Sequence, residues 1–136
     1  MSYEFLQHTA DVRLKVIGNS LEDVFSDALQ GLMELVKPGL DVASCPIVKH
    51  NLQIESPDRT ALLIDFLSEV LFFSHTHNAI YTKVVFSKLT ETEIHADIEG
   101  VEVDGFEEDV KAVTYHEANL RTNEEGKWET MVIFDI

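Results

Sequence analysis

Two aspartates stand where packing gives no reason for an acid. Asp135 lies within the apolar run at residues 132–136, and Asp11 stands at the start of a predicted strand near the other end of the chain. A carboxylate inside an apolar strand is costly to bury unless it is paired, protonated or bound to a cation. If the two strands are neighbours, Asp11, Asp135 and the terminal carboxylate of Ile136 converge. Such an oxygen-only ligand set suits a hard divalent cation such as Ca²⁺ or Mg²⁺.

A simpler interpretation of these acids stays open from the residues alone. In that interpretation Asp11 caps a turn and Asp135 belongs to a frayed chain end, because spacing between distant strands is not a motif. Among the histidines, His8 and His116 each adjoin a compact polar motif. The pair His75 and His77 is compatible with a metal site but also with a polar loop after a helix.

Lys111 is one of few bases in a strongly acidic run, residues 107–111. Because it alternates with apolar neighbours, we expect its side chain to leave the apolar face of its strand. There it can pair with local acids, contact a partner or orient a phosphate. A surface ion pair of this kind contributes little to stability.

The chain as a whole is strongly acidic. Its 136 residues include 25 acids and 10 bases, for a formal net charge of −15. This charge argues against direct binding to nucleic acid, and it suits a protein that docks on a basic partner or collects cations. A merely solvated acidic surface is the simpler alternative. We expect one domain without disulfides, since Cys45 is the only cysteine, and a soluble, cytoplasmic protein without a membrane span.

Periodicity predicts the elements that must position these residues. Residues 13–16 alternate as a half-buried strand, and Ser20 caps a helix that ends before Pro38-Gly39. Residues 47–55 form the next strand, and a second helix, with Ser56 as its cap and Pro57 at its first position, runs to about Ser74. That helix is apolar around most of its circumference, which indicates burial on more than one side.

From Ile80 onward the period is two. We expect strands at residues 80–89 and 92–99 joined by a hairpin turn, a long strand at 110–120 with Val113 and Tyr115 inward, and a final strand at 128–136 paired antiparallel with its predecessor. The prediction is an α+β fold with two helices packed on a mainly antiparallel sheet.

These residues resemble the archease family. The resemblance rests on three stretches in order: His8-Thr9-Ala10-Asp11-Val12 with the helix start that follows, residues 110–116, and residues 128–136. Val110 replaces the usual isoleucine, and residues 105–109 lack the basic lead-in with a histidine that many members carry. With the apolar second helix, the similarity covers nearly the whole of residues 1–136 as a single archease-like domain.

The resemblance implies a fold and a function. The family fold is an SHS2-type strand-helix-strand-strand module with an insertion. Archeases are protein cofactors of the RtcB-type tRNA-splicing ligase, which promote its guanylylation and multiple turnover without being enzymes themselves. The family's metal site would fall on Asp11, Asp135 and Ile136, with Ca, Mg or Mn as the ion. Lys111 would be a contact with the ligase, and His8 and His116 lie in matching motifs.

Two other functions remain to be weighed. One is a chaperone or modulator of RNA-modifying enzymes such as methyltransferases, acting through the same acidic surface. The other is a small metal-dependent hydrolase using His8, His116 and Asp11, for which no arrangement of nucleophile and base is apparent.

Overall fold

The structure, a computed structural model, describes residues 2–7, 11–39 and 46–136. Its elements follow in chain order: β1 (Ser2–Gln7), β2 (Asp11–Gly18), α1 (Leu21–Val36), β3 (Ile47–Glu55), α2 (Arg59–His77), β4 (Ala79–Leu89), β5 (Glu93–Glu102), β6 (Ala112–Thr114), β7 (Arg121–Thr122) and β8 (Trp128–Asp135). They form two antiparallel sheets, sheet A with β1, β2, β6, β7 and β8, and sheet B with β3, β4 and β5.

Sheet A is built from both ends of the chain. β2 pairs antiparallel with β1 on one side and with β8 on the other, and β8 also pairs with β6 and β7. Along β2, Val12, Leu14 and Val16 are buried, whereas Asp11 and Arg13 alternate with them and are only partly buried. This period of two fixes the register, because a slip of one residue would turn the apolar set outward.

Sheet B has the strand order β3-β5-β4. Its ladder contains two register shifts between β4 and β5, one between Tyr81 and Lys83. Beside this shift Gly100 approaches β4 so closely that a Cβ atom there would lie 1.9 Å from the carbonyl oxygen of Ile80. Only glycine allows such an approach of two backbones.

The two helices connect the sheets into one apolar core. α1 packs against β2 of sheet A and β4 of sheet B, while α2 packs against β6 and against all three strands of sheet B. Gly31 lets α1 lie close to β2, since a Cβ there would come within 2.7 Å of Leu14. The contact of α2 with both sheets explains why its residues are apolar around most of the helix, as the sequence predicted.

The helix starts show one success and one error of prediction. Ser20 caps α1 as predicted, accepting a hydrogen bond from the backbone N–H of Asp23 at 3.1 Å. The predicted cap of α2, Ser56, is wrong: Asp58 is the cap and accepts from the N–H of Ala61 at 2.8 Å. Ser56 is buried and donates to Asp65 instead, at 2.6 Å. The helix therefore begins two residues later, and it extends past Ser74 to His77.

Two further expectations for the strands were wrong. β1 precedes the strand at Asp11 and was not predicted. The segment 110–120 forms no continuous strand: β6 covers only Ala112–Thr114, and further on Glu117 has φ +60°, a left-handed conformation that an extended strand cannot contain and that costs about 1 kcal/mol or more in a non-glycine residue. Val113 is buried as predicted, and Val110 is buried as well, but Tyr115 is 60% exposed.

Within residues 2–7, 11–39 and 46–136, neither helix combines the length and the apolarity needed to cross a lipid bilayer.

Candidate functional site

Asp11 and Asp135 lie directly opposite each other in sheet A. They are Cα partners in the β2–β8 ladder, so their side chains leave the same face of the sheet, with Cβ atoms about 5 Å apart. The two strands are neighbours, the condition on which the convergence of the acids depended, although the strand of Asp11 is the second of the chain. Asp11 is half-buried and Asp135 is exposed. Asp135 therefore avoids the cost of burial that its apolar neighbours suggested, because period two turns it outward.

Several polar atoms on this outward face are buried and have no hydrogen-bond partner among the residues that the structure describes. They are Asp11 Oδ1, Arg13 Nε and Thr114 Oγ1. Arg13 and Thr114 are the ladder partners of Ile133 from either side, one row along from the two aspartates. A buried polar atom without a partner costs about 1–3 kcal/mol, so a cluster of them is a feature that folding alone does not favour.

Arg13 also forms an ion pair across this face. Its Nη1 lies 2.5 Å from Oε2 of Glu117, the residue with the left-handed backbone. The ion pair gives Glu117 a partner in this conformation and brings the segment after β6 back toward β2. Next to Glu117, His116 is exposed. His8, the other histidine of the predicted motifs, lies outside the described residues.

Lys111 is anchored beside Asp135 through its backbone. Its N–H donates to the carbonyl oxygen of Asp135 at 2.7 Å, and the following residue, Ala112, pairs with Asp135 in the β6–β8 ladder. The Lys111 side chain is exposed, as its alternation with apolar neighbours predicted. The ammonium group of Lys111 and the carboxylates of Asp11 and Asp135 thus belong to neighbouring positions of sheet A. From there they can contact a phosphate or another charged group together.

The segment after β6 is tied to α2 by Tyr115. The Tyr115 hydroxyl donates a short hydrogen bond to Asp65, which accepts from Ser56 with its other oxygen. This hydrogen bond, above all, raises the pKa of the Tyr115 phenol, and burial and the charge of Asp65 act in the same direction. Further along, Arg59 donates to the carbonyl of Leu120 at 2.8 Å. These contacts hold residues 115–120 against the first half of α2.

The outward face offers oxygen ligands of the kind that a divalent cation prefers. Asp11 and Asp135 supply carboxylate oxygens, one of them without a partner among the described residues, and hard cations prefer such ligands. No cluster of three or more His, Cys, Asp or Glu side chains capable of holding a metal occurs in the described part of the chain. The third ligand of the predicted set is the main-chain carboxylate of Ile136, which is not a side chain. The predicted site stays a prediction.

A separate cavity of about 400 Å³ lies between α1 and β4. Asp27 lines it, is 3% exposed, and has one oxygen without a hydrogen-bond partner in the described residues. Burial raises the pKa of this carboxyl, and the charge of Asp23 adds to the effect. None of the residues of the predicted metal and partner-contact site lines this cavity, so the cavity is a separate feature of the protein.

Comparison with known proteins connects the motifs to a family. Residues 3–136 match the Archease protein family (MTH1598/TM1083). The chain belongs to the archease family. The archease of Methanosarcina acetivorans is 30% identical over 98% of this chain and 95% of its own length. The archease of Methanothermobacter thermautotrophicus is also 30% identical, over 98% of both chains.

Solved structures agree with the assignment. The solution structure of Methanobacterium thermoautotrophicum protein 1598 superimposes with a TM-score of 0.76, at 28% identity and 98% coverage of both chains. A crystal structure from Thermotoga maritima, described as an archease and possible chaperone, has a TM-score of 0.69, at 19% identity over 96% of this chain and 94% of that one. The α+β fold with two helices and antiparallel sheets is therefore confirmed as the archease fold.

Within this archease-family chain, sequence reasoning found both aspartates and Lys111 but missed their surroundings. Arg13 carried a usable signal, because period two places it on the same face as Asp11. Thr114 follows from the same rule applied to β6. The Arg13–Glu117 and Tyr115–Asp65 contacts carried no such signal, since both depend on the local backbone that replaces the predicted long strand.

Proposed function

We propose that this chain activates an RtcB-type tRNA-splicing RNA ligase, promoting guanylylation of the ligase and its multiple turnover. The direct opposition of Asp11 and Asp135, each inside a stretch typical of archeases, carries this proposal. In this role the protein has no turnover of its own. Its net charge of −15 favours contact with the basic surface that an RNA ligase must present, and disfavours direct contact with RNA.

The working end in this proposal is the outward face of sheet A. Asp11, Asp135 and the terminal carboxylate of Ile136 would hold a divalent cation. When bound, such an ion supplies a compact positive charge that can neutralise phosphate oxygens. The two aspartates fix its place on the rigid β2–β8 ladder, and Lys111 offers an ammonium group next to Asp135 for the same anionic group or for the ligase itself. His8 and His116 are further contact candidates.

Activation is tested by RNA ligation with substrate in large excess over the ligase. Wild-type protein should raise the number of turnovers, and Asp11→Asn, Asp135→Asn and Lys111→Ala should each reduce that gain at least tenfold while remaining folded by circular dichroism. Asp104→Asn and Lys127→Ala remove exposed charges elsewhere on the protein and should activate like wild type. No effect of wild type, or full activity of folded Asp11→Asn, would overturn the proposal.

The ligand role of the chain end is tested separately. One alanine added after Ile136 moves the carboxylate by a residue without altering any side chain. We expect the extended protein to fold normally, to bind Ca²⁺ more weakly by calorimetry, and to lose activation. Wild-type binding and activation by the extended protein would remove Ile136 from the ligand set.

The second candidate is a chaperone or modulator of RNA-modifying enzymes such as methyltransferases. It is favoured by the description of the Thermotoga maritima relative as a possible chaperone. The two functions differ in selectivity. A modulator should change the activity or aggregation of several unrelated RNA enzymes, including a tRNA methyltransferase, whereas an activator should act on the ligase alone.

A further inference from the structure

Two of the large apolar side chains that the structure exposes are aromatic rings near α2. Phe72 is 58% exposed and Tyr115 is 60% exposed. Phe72 lies on α2 itself, and Tyr115 is held against α2 by its hydrogen bond to Asp65. Aromatic residues are enriched at protein interfaces relative to the rest of the protein surface.

Helical geometry places these rings in one line with two acids. Asp65, Glu69 and Phe72 are spaced by four and three residues, so they share one face of α2 over about 10 Å. With Tyr115 at one end, they form a surface that we call the α2 strip: Tyr115, Asp65, Glu69 and Phe72. Asp65 and Glu69 are the only acids between residues 59 and 77, and both lie on it.

Both rings of the α2 strip are held in place before any partner arrives. Phe72 packs edge-on against Phe73, with centroids 5.9 Å apart, and Phe73 stacks on His50 at 4.8 Å. Tyr115 is fixed through Asp65. Rings held in this way lose little conformational entropy on binding, which favours their use as anchors.

The chemistry of the strip indicates what it binds. Aromatic faces attract guanidinium groups through cation–π contacts, and carboxylates bind the same groups through paired hydrogen bonds. Asp65 already accepts from Tyr115 and Ser56, whereas residues 60–77 of α2 contain no lysine or arginine that could pair with Glu69 from within the helix. A carboxylate flanked by exposed aromatic rings therefore complements an arginine-bearing surface.

We propose that the α2 strip is the docking surface for an arginine-bearing face of the ligase, an inference that rests on the function proposed above. The strip adjoins β6, which ends the β1-β2-β8-β6 order of sheet A. Asp135 pairs with Ala112 of the same short strand. A partner bound to the strip thus lies beside β6, the edge strand of sheet A, which is next to the strand β8 that carries Asp135. The strip supplies affinity, and the aspartates act on the partner once it is bound.

The test separates affinity from activation. The Kd of the purified ligase is measured by calorimetry for wild type, Phe72→Ala and Glu69→Lys, and turnover is measured at saturating activator. We expect each strip variant to raise the Kd at least tenfold and to retain wild-type turnover at saturation, because hot-spot aromatics and complementary charges act on association. Asp11→Asn should show the reverse, an unchanged Kd with lost turnover.

Control variants make comparable changes at exposed positions elsewhere on the protein. Val85→Ala removes an exposed apolar side chain of β4, which is 52% exposed, and Glu102→Lys reverses an exposed charge of β5. Both should bind like wild type. Urea midpoints verify that Phe72→Ala and Glu69→Lys are folded. Raised salt should weaken wild-type binding more than that of Glu69→Lys.

Each outcome decides a separate claim. Strip variants that bind within twofold of wild type, or no more weakly than the controls, overturn the docking proposal alone. Binding without activation by wild type overturns the proposed function, and the Kd values still decide the docking surface. If wild type does not bind the ligase, both fall. If Phe72→Ala instead reduces the mass of the protein in light scattering, the strip joins copies of this chain and the proposal is overturned.

Discussion

The interior between the two sheets and the outward face of sheet A treat their side chains in opposite ways. In the interior, Phe66 packs against Phe25 and Phe86 with ring centroids 5.7 and 5.8 Å apart, and α2 contacts apolar residues on both sides. On the outward face, Asp11 opposes Asp135, and buried polar atoms lack partners among the described residues. The interior packs large apolar rings against one another, whereas the outward face holds opposed carboxylates and unpartnered polar atoms that reduce stability. Such groups persist where another molecule uses them.

The largest effect should come from the interior. Phe66→Ala removes a fully buried ring and leaves a cavity, so the free energy of unfolding should fall by about 3–5 kcal/mol. Urea denaturation measures this loss, and ligase activation per folded molecule should stay at the wild-type level. A loss below about 1 kcal/mol would show that the interior is not tightly packed here.

A smaller effect is expected where the two regions meet. Tyr115→Phe removes the hydroxyl that donates to Asp65 and should lower the free energy of unfolding by about 0.5–1 kcal/mol, since the ring is largely exposed. Tyr81→Phe is the matched control. The Tyr81 hydroxyl is buried, has no partner in the described ranges, and has a pKa raised to about 12 by burial. Its removal should be neutral or stabilising, and equal losses in both variants would contradict the contrast.

On the outward face, a substitution should improve stability while it removes function. Like charges directly opposed in a ladder repel, so Asp135→Asn should raise the free energy of unfolding by about 0.5 kcal/mol in the presence of a chelator. Adding CaCl₂ should raise the Tm of wild type and leave that of Asp135→Asn unchanged. A destabilised Asp135→Asn, or an equal calcium response in both proteins, would mean that the acids have a structural role.

The smallest effect is a pH dependence at the far end of α2. Burial lowers the pKa of His50, and the charge of His77, whose ring stacks on it at 4.3 Å, lowers it further. Phe73 and Tyr81 are its other ring neighbours. Because the folded pKa lies below the unfolded value, the contribution is complete above about pH 6.5 and is lost as the pH falls from there through the folded pKa.

This pH dependence is measured from urea midpoints between pH 7.5 and 5.5. His50→Leu should flatten the fall in stability, and His116→Asn, which changes an exposed ring, should leave it unaltered. An unchanged slope in His50→Leu would show that other groups cause the acid sensitivity.

The sequence predicted what strong periodicity encodes. α1 and β3 follow from long amphipathic or alternating patterns, and β3 matches its predicted bounds, Ile47–Glu55. The error at the start of α2 concerns local competition between polar groups. Ser56 and Asp58 are both good caps, and the structure uses Ser56 to bond Asp65 instead. From the sequence, Asp11 lies beside Asp135 only if their strands are neighbours, and the antiparallel β2–β8 register meets this condition.

The sequence could not predict the irregular backbone of residues 115–120 or the contacts that this segment makes. β6 ends at Thr114, Tyr115 is exposed and bonds to Asp65, and Glu117 takes a positive φ and pairs with Arg13. Glutamate rarely adopts this conformation, so no propensity indicates it. The α2 strip was missed for the same reason, since Tyr115 was predicted to face the core.

The β2–β8 ladder also bears on how this protein is made. Its two strands come from nearly opposite ends of the chain, so their pairing is among the least local contacts of the fold, and such contacts form late and slowly. While a ribosome is still extending the polypeptide, Asp11 has no Asp135 to face. The acid pair therefore exists only after the chain has been synthesised through Asp135 and the two strands have paired, so a chain that stops before residue 135 cannot present it.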